Sequence, residues 1–266
     1  MAATAISIPK TGSPLNYMLR LYSKEVKYEF LKLWRNKGFT FSTIGFPIMF
    51  YLLFGVTNRH WDTGSFQIAR YLLASYSCMG MIGASLFGIG VGLALERAQG
   101  WLEVKQASPM PPQAYLLAKL VTCMGFSLVI GSALLILGST LAGVHLTLGE
   151  VLKLMATTMS GAIPFASMGL FLGLLVPPNA APGVVNLIYL PMSFCSGLWM
   201  PIEILPHWLQ RIAPFLPAYH FVQLGLHVVG YARDSSILTH WTALAGFSLV
   251  FLGLSWVVFS KQAERA

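Results

Sequence analysis

Charge is what this chain has least of. Only 10% of its 266 residues are Asp, Glu, Lys or Arg, against 56% apolar, and the mean hydropathy is +0.67. A soluble domain carries about 25% charged residues, so the shortfall points to lipid as the main solvent. There is no Gly-x-x-x-x-Gly-Lys-Ser/Thr and no Gly-Lys pair anywhere, which removes the phosphate-cradling loop of P-loop ATPases. Serine nucleophile elbows, paired-cysteine motifs and His-Glu-x-x-His are missing as well, and with them the common hydrolase and zinc chemistries. Cysteine is rare: Cys78, Cys123 and Cys195 all lie in apolar runs, and an odd, embedded set argues for packing rather than a disulfide framework. The first fourteen residues hold Pro9, Gly12 and Pro14, one basic residue and no apolar core, so they read as a disordered, uncleaved cytoplasmic tail rather than a signal peptide. No Asp or Glu falls at the middle of a predicted span. Ion-coupled transporters and channels with charged filters usually need such a group.

What is present is length without charge. Over 15–38, Met18, Tyr22, Val26, Phe30 and Leu33 recur every three or four residues, with Arg20, Lys24, Lys27 and Arg35 towards the other side. This is an amphipathic helix for the headgroup layer, its cations near anionic lipid. Six apolar segments follow, at about Phe39–Thr57, Ile68–Leu95, Tyr115–Leu141, Val151–Val176, Pro182–Leu198 and Trp241–Phe259, each near the roughly 20 residues that cross a bilayer. The chain therefore reads as an all-α membrane protein, with residues 39–266 forming a single six-helix domain. The connections sort Lys10, Arg20, Lys24, Lys27, Lys32, Arg35, Lys37, Arg97, Lys105, Lys261 and Arg265 to one side, and Arg59, Arg70, Lys153, Arg211 and Arg233 to the other. The positive-inside bias puts the larger group, both termini and the loop after the second span in the cytoplasm. Lys119 is expected to snorkel inward from the start of the third span. The net charge of +8 thus belongs to the membrane surface, not to nucleic acid.

Three stretches carry candidate function. Gly80, Ala84, Gly88 and Gly92 form a four-residue stripe on the second span, with Gly169 and Gly173 as a lesser pair on the fourth; small stripes let helices approach closely in lipid. Asn186, Tyr189 and Ser193 share a face of the fifth span, either bonding a neighbouring helix or lining a mostly apolar path. After that span comes an apolar, proline-rich connection from Ser196 to Val229, too apolar for a free loop and read as short re-entrant helices with Trp199 and Trp208 at headgroup depth. It contains Glu203, His207, His220 and His227, the best alternative site, for a membrane-embedded enzyme or metal-handling protein.

The loop between the second and third spans reads Glu96-Arg97-Ala98-Gln99-Gly100-Trp101-Leu102-Glu103, followed by Ser108-Pro109. With Ser196-Gly197, Pro201 and Leu205-Pro206 after the fifth span, it resembles the permease subunits of ABC-2-type ATP-binding-cassette exporters. Trp101 stands where the family usually has Thr, and Leu216-Pro217 where it has Asn-Pro. The resemblance implies a type V exporter-like arrangement, with a coupling helix in the loop and an ATPase interface at Glu96, Arg97, Gly100, Trp101, Leu102, Glu103 and Pro109. It also implies a path bounded by the second and fifth spans, with Gly88, Asn186, Tyr189 and Ser193 as candidates, and a re-entrant segment marked by Ser196, Gly197, Pro201, Glu203 and Pro206. The expected partners are a P-loop ATPase subunit that brings ATP and Mg, a second permease, either another copy of this chain in a homodimer or a close relative, and membrane lipids. The chain itself needs no bound cofactor, and the expected location is the inner (plasma) membrane.

Overall fold

The computed structural model describes residues 14–60, 66–101, 104–105, 111–233 and 236–263. The chain forms α1 (Pro14–Arg35), α2 (Lys37–Val56), α3 (Ile68–Ala98), α4 (Pro112–Leu141), α5 (Leu148–Leu175), α6 (Ala181–Cys195), α7 (His207–Ile212), α8 (Pro217–Val229) and α9 (Ile237–Ala263). No strand occurs among the described residues. The expected tail lies almost wholly outside them, and α1 ends at Asn36, whose side chain accepts from Phe39 N at 3.2 Å and starts α2.

α3 is the axis. It is apolar all round, and nearly every residue from Ala69 to Ser85 is buried, as a helix with no polar face must be. At 1.5 Å per residue its 31 residues run about 46 Å, well beyond the roughly 30 Å of hydrocarbon.

Five helices are long and apolar enough to span: α2 (20 residues), α3, α4, α5 (28) and α9. The expected fifth span, Pro182–Leu198, is shorter than the sequence suggested. α6 has 15 residues, about 22 Å of helix, and stops at a turn in which Gly197 adopts φ +80°. A left-handed residue ends a helix because only glycine takes that conformation without cost.

The next segment forms a broken hairpin. His207–Phe215 and Pro217–Val229 meet at 94°, and the break falls at Pro217, whose missing N–H and fixed φ suit a new first turn. α8 begins beside Cys78, whose thiol lies 3.8 Å from Phe221 O. It exits where Tyr231 Oη accepts from Gln67 N at 2.9 Å, at the start of α3. α8 therefore runs beside α3 from Cys78 to Gln67, a course that suits a broken span as well as the expected re-entrant element. Counted as one span, the bent pair makes six.

The close helix contact falls on the glycine pair that looked less telling. A Cβ on Gly169 would lie 2.9 Å from Ser85 O, and one on Gly173 would lie 2.8 Å from Gly90 O. Of the four-residue stripe only Gly80 is tight, against the Ile130 side chain, while Gly88 and Gly92 have room for a methyl group. Backbone cannot yield as a side chain can, so Gly173→Ala is expected to cost about 1–3 kcal/mol. Gly92→Ala should be close to neutral. Equal melting temperatures for the two variants would show that α3 and α5 do not meet here.

α1 also differs from its expectation. Phe30 and Leu33 pack within the chain, with Phe39 and Ala84 around Phe126 of α4, and the Phe30 and Phe126 centroids are 5.3 Å apart. The outward face keeps Arg20, Lys24, Lys27, Tyr28 and Arg35 exposed, a face that suits anionic headgroups.

Candidate functional site

The last turn of α3, the first turns of α4, the end of α5 and the middle of α1 converge where the Glu96 loop begins. Tyr115 and Lys119 sit four apart on α4, and Glu29 and Lys32 three apart on α1, so each pair shares a helix face. Lys119 Nζ donates to Glu29 Oε1 at 2.8 Å and to Glu96 Oε1 at 3.0 Å. Lys32 Nζ donates to Glu29 Oε2 at 2.7 Å and also to Glu96 Oε1. Tyr115 Oη donates to the other Glu96 oxygen. Lys119 is 2% exposed and Glu29 4%. Two ammonium groups thus meet two carboxylates in a neutral cluster whose acceptors are satisfied, the condition under which buried charge is tolerated. An outer layer adds Lys105, which pairs with Glu25 at 2.5 Å and lies 4.4 Å from the centre of the Tyr115 ring.

Arg97 turns the other way along the same end. Its Nη1 donates to Gly173 O at 2.8 Å and to Leu174 O, the last carbonyls of α5. Carbonyls in the last turn of a helix point out of its end and carry the negative end of its dipole.

Glu96 and Arg97, expected at the ATPase interface, both make bonds within the chain, because a charge at the end of a buried helix must find its counter-charge nearby. One sequence expectation needs correction. Lys119 does not snorkel: two carboxylates reach it in the interior. The loop's outward chemistry begins at Gly100, whose φ of +72° turns the chain, and at Trp101, which is 55% exposed. Leu102, Glu103 and Pro109 lie outside the described residues.

Burial pushes the Glu29 carboxyl up, but Lys119 and then Lys32 outweigh it and hold the group below its ordinary value of 4.5. For Lys32 burial pulls down, and Glu29 and Glu96 together raise it above 10.5. A depressed carboxyl stabilises the fold above its unfolded pKa and loses that contribution as pH falls through the folded value; a raised ammonium loses its share only as pH rises through its own. Thermal stability should therefore be flat from about pH 5 to 10 and drop in acid below about pH 4.5. Glu29→Gln should flatten the acid limb of a melting-temperature profile, and an unchanged limb would exclude Glu29 as a source.

The candidate path residues are dispersed. Gly88 faces Phe39 and Leu33 at the α1–α2 corner rather than α6, with a Cβ 3.4 Å from Phe39. Tyr189 does meet α3: its ring lies 5.7 Å from Phe87, and its hydroxyl faces Gly83. Ser193 is buried and accepts from Trp199 Nε1 at 2.9 Å, which is a structural contact. Asn186 is exposed on an otherwise apolar face of α6. Beside it an apolar groove of about 560 Å³ is lined by Leu190, Pro191, Phe194, Cys195, Trp199, Trp208 and Leu209.

In the re-entrant segment Ser196 Oγ donates to Met192 O at 2.6 Å and Gly197 O accepts from Tyr71 Oη at 2.8 Å. Pro201 is buried, Glu203, Pro206 and His207 are exposed, and Pro206 directly precedes α7. Glu203, His207, His220 and His227 are not gathered. No group of three or more His, Cys, Asp or Glu among the described residues is arranged to hold a metal. His220 instead meets His240 of α9, Nδ1 to Nδ1 at 3.0 Å, with its Nε2 2.8 Å from Pro214 O. Only a protonated Nε2 can bond that carbonyl, so neutral His220 presents Nδ1 as an acceptor to His240. The sequence reading missed His240, which stands alone in its helix, and Glu29, whose signal was its position in phase with Tyr22, Val26 and Leu33.

Residues 25–229 match the family profile described as ABC-2 type transporter. YvfS of Bacillus subtilis (strain 168), whose name describes it as a transport permease, is 28% identical over 247 residues, 92% of this chain and 99% of that protein. YhhJ of Escherichia coli (strain K12), named an inner membrane transport permease, is 30% identical over 146 residues, 51% of this chain and 37% of YhhJ. The profile covers the loop end of α3 and the re-entrant hairpin together, and on that match the chain belongs to the ABC-2 type transporter family, as a multi-pass membrane permease of an ABC transporter.

Proposed function

We propose that this chain is the membrane-spanning subunit of an ATP-driven exporter, working as a homodimer in the inner (plasma) membrane with both termini and the Glu96 loop in the cytoplasm. A separate P-loop ATPase subunit supplies ATP and Mg and docks on the loop from Gly100 onward, with Trp101, Leu102, Glu103 and Pro109 as its contacts. The observation that carries this reading is the convergence of α1, α3 and α4 on the charge cluster of Glu29, Lys32, Glu96 and Lys119, with α5 held beside it by Arg97. A push on the loop reaches α1 and α4 through the ion pairs of Glu96, and α5 through the Arg97 hydrogen bonds, rather than through a hinge. Movement of α3 against α6, at Gly83, Phe87 and Tyr189, then opens a path to an amphipathic cargo such as a drug-like compound, a lipid or a lipid-linked glycan. The apolar groove and the lack of acids deep in the spans support that cargo class over an inorganic ion.

Asn186 supports the two-copy arrangement. A carboxamide facing hydrocarbon is costly, whereas two related by a two-fold axis satisfy each other. Asn186→Cys is expected to form a dimer-sized disulfide product in oxidised membranes, and no product would place the seam elsewhere. The function itself is tested in proteoliposomes holding the chain and its co-purified ATPase. ATP is expected to drive movement of a fluorescent phospholipid or a lipophilic dye. Neither ATPase association nor ATP-dependent movement of either probe would end this reading.

A further inference from the structure

The end of α3 remote from the Glu96 loop makes contacts that the proposed function does not use. Tyr71 and Tyr76, both buried, donate their hydroxyls to two carbonyls of the turn that ends α6: Tyr71 to Gly197 O at 2.8 Å and Tyr76 to Trp199 O at 3.3 Å. The turn has little freedom of its own. Gly197 holds φ +80°, Ser196 and Leu198 are fully buried, and Trp199 is held by Ser193 Oγ through its indole N–H and by the edge of Phe50, with centroids 4.6 Å apart. Beyond the turn the chain enters the re-entrant hairpin directly through Pro201 and the short helical turn Ile202–Ile204.

We propose that Tyr71 and Tyr76 are positioning residues through which α3 carries displacement of its Glu96 end to the Ser196–Trp199 turn, and so to the mouth of the re-entrant hairpin. Three features support this. α3 runs without a break from Tyr71 to Glu96, with a π-wound turn at Leu86–Val91, so a shift at one end can be passed along the chain of its backbone to the other. Both hydroxyls meet backbone carbonyls rather than side chains, so they grip the path of the turn itself. The Tyr71 bond also lies away from water and the Tyr76 bond partly so; there a hydroxyl–carbonyl bond holds its geometry, and its loss leaves the carbonyl short of a partner. The path through the membrane and the loop that meets the ATPase would then be joined by one continuous helix with a clamp at each end: the charge cluster at one and two tyrosines at the other.

The inference rests on the ATPase-coupled reading above, and its test separates the two. In the complete permease–ATPase assembly in lipid, Cys195→Ser removes the half-buried native thiol and leaves the buried Cys78 and Cys123. Glu203→Cys places a reporter on the exposed turn just beyond the clamp. The rate of its alkylation by N-ethylmaleimide is measured with and without ATP plus vanadate, beside the ATPase rate. With both tyrosines present, nucleotide trapping is expected to change the labelling rate. Tyr71→Phe with Tyr76→Phe keeps both rings in the core and removes only the two hydroxyls. Each bond is expected to be worth about fivefold in the equilibrium that positions the turn. The double variant should therefore lose the nucleotide response while ATP hydrolysis continues within about twofold, and each single variant should lose part of it. A response equal to that of the parent overturns the role of the tyrosines and leaves the exporter reading standing. Loss of hydrolysis together with the response, in the single variants as in the double, shows a merely structural role and also overturns it. A parent assembly that hydrolyses ATP without any change at the reporter removes the mechanical coupling on which both readings depend.

Discussion

Replacing Lys119 with methionine is expected to be the most damaging single change in the chain outside its glycine contacts. Methionine fills similar space, so packing changes little, but Glu29 and Glu96 lose the cation they share at 2.8 and 3.0 Å. The site would then hold two carboxylates and only Lys32, whose side chain is 47% exposed. Removing one member of a buried ion pair costs about 3–5 kcal/mol, because the remaining charge stays desolvated without compensation. For a chain of this length that corresponds to a fall of about 10 °C in the melting temperature of the purified protein. Lys32→Ala should cost far less, since a cation nearly half in solvent contributes about 1 kcal/mol at most. The informative variant adds Glu96→Gln to Lys119→Met. One carboxylate then faces one ammonium, Tyr115 can still donate to the amide oxygen, and the double variant should recover much of the lost stability. A double variant no better than Lys119→Met would mean that the cluster is held by packing and not by charge balance.

The same cluster marks where sequence reading reached its limit. Apolar run lengths placed α2, α3, α4, α5 and α9, because a bilayer demands long uncharged helices and little else produces them. The Glu96 loop and the Ser196–Pro206 turn were legible because glycine, proline and charge interrupt those runs. Partners were not legible. Glu29 and Lys119 are 90 residues apart, and only the fold shows that they meet. Read along the chain, Lys119 looked like a side chain able to reach water; in three dimensions α1 carries a carboxylate to it. The glycine stripe on α3 misled for a related reason. Periodicity reports which residues share a face, not which helix covers that face, and α5 approaches through Gly169 and Gly173. The length of α6 was overestimated because Ser196, Gly197 and Leu198 continue the apolar composition, while the positive φ of Gly197 ends the helix.

Replacing Trp101 with glutamate is expected to separate assembly from folding. Trp101 is 55% exposed at the tip of the Gly100 turn and makes no ring contact among the described residues, so the fold should not depend on it, and the melting temperature should stay within about 1–2 °C of the parent. A large aromatic left in water beside a loop anchored by buried charge has the character of an interface hot spot. Truncating such a residue costs about 2 kcal/mol or more, and a buried carboxylate in its place adds desolvation. Association with the ATPase subunit, measured by co-purification or by a binding titration in detergent, should weaken about 30-fold or more. ATP-driven movement of the phospholipid probe should fall with it. Glu96→Ala with Arg97→Ala is expected to behave in the opposite order, losing thermal stability first, because it leaves Lys119 and Lys32 sharing Glu29 alone and removes the Arg97 bonds to Gly173 and Leu174. If the Trp101 variant instead lost stability while its ATPase stayed bound, the docking surface would have to lie elsewhere, and the outward basic face of α1 would be the next place to look.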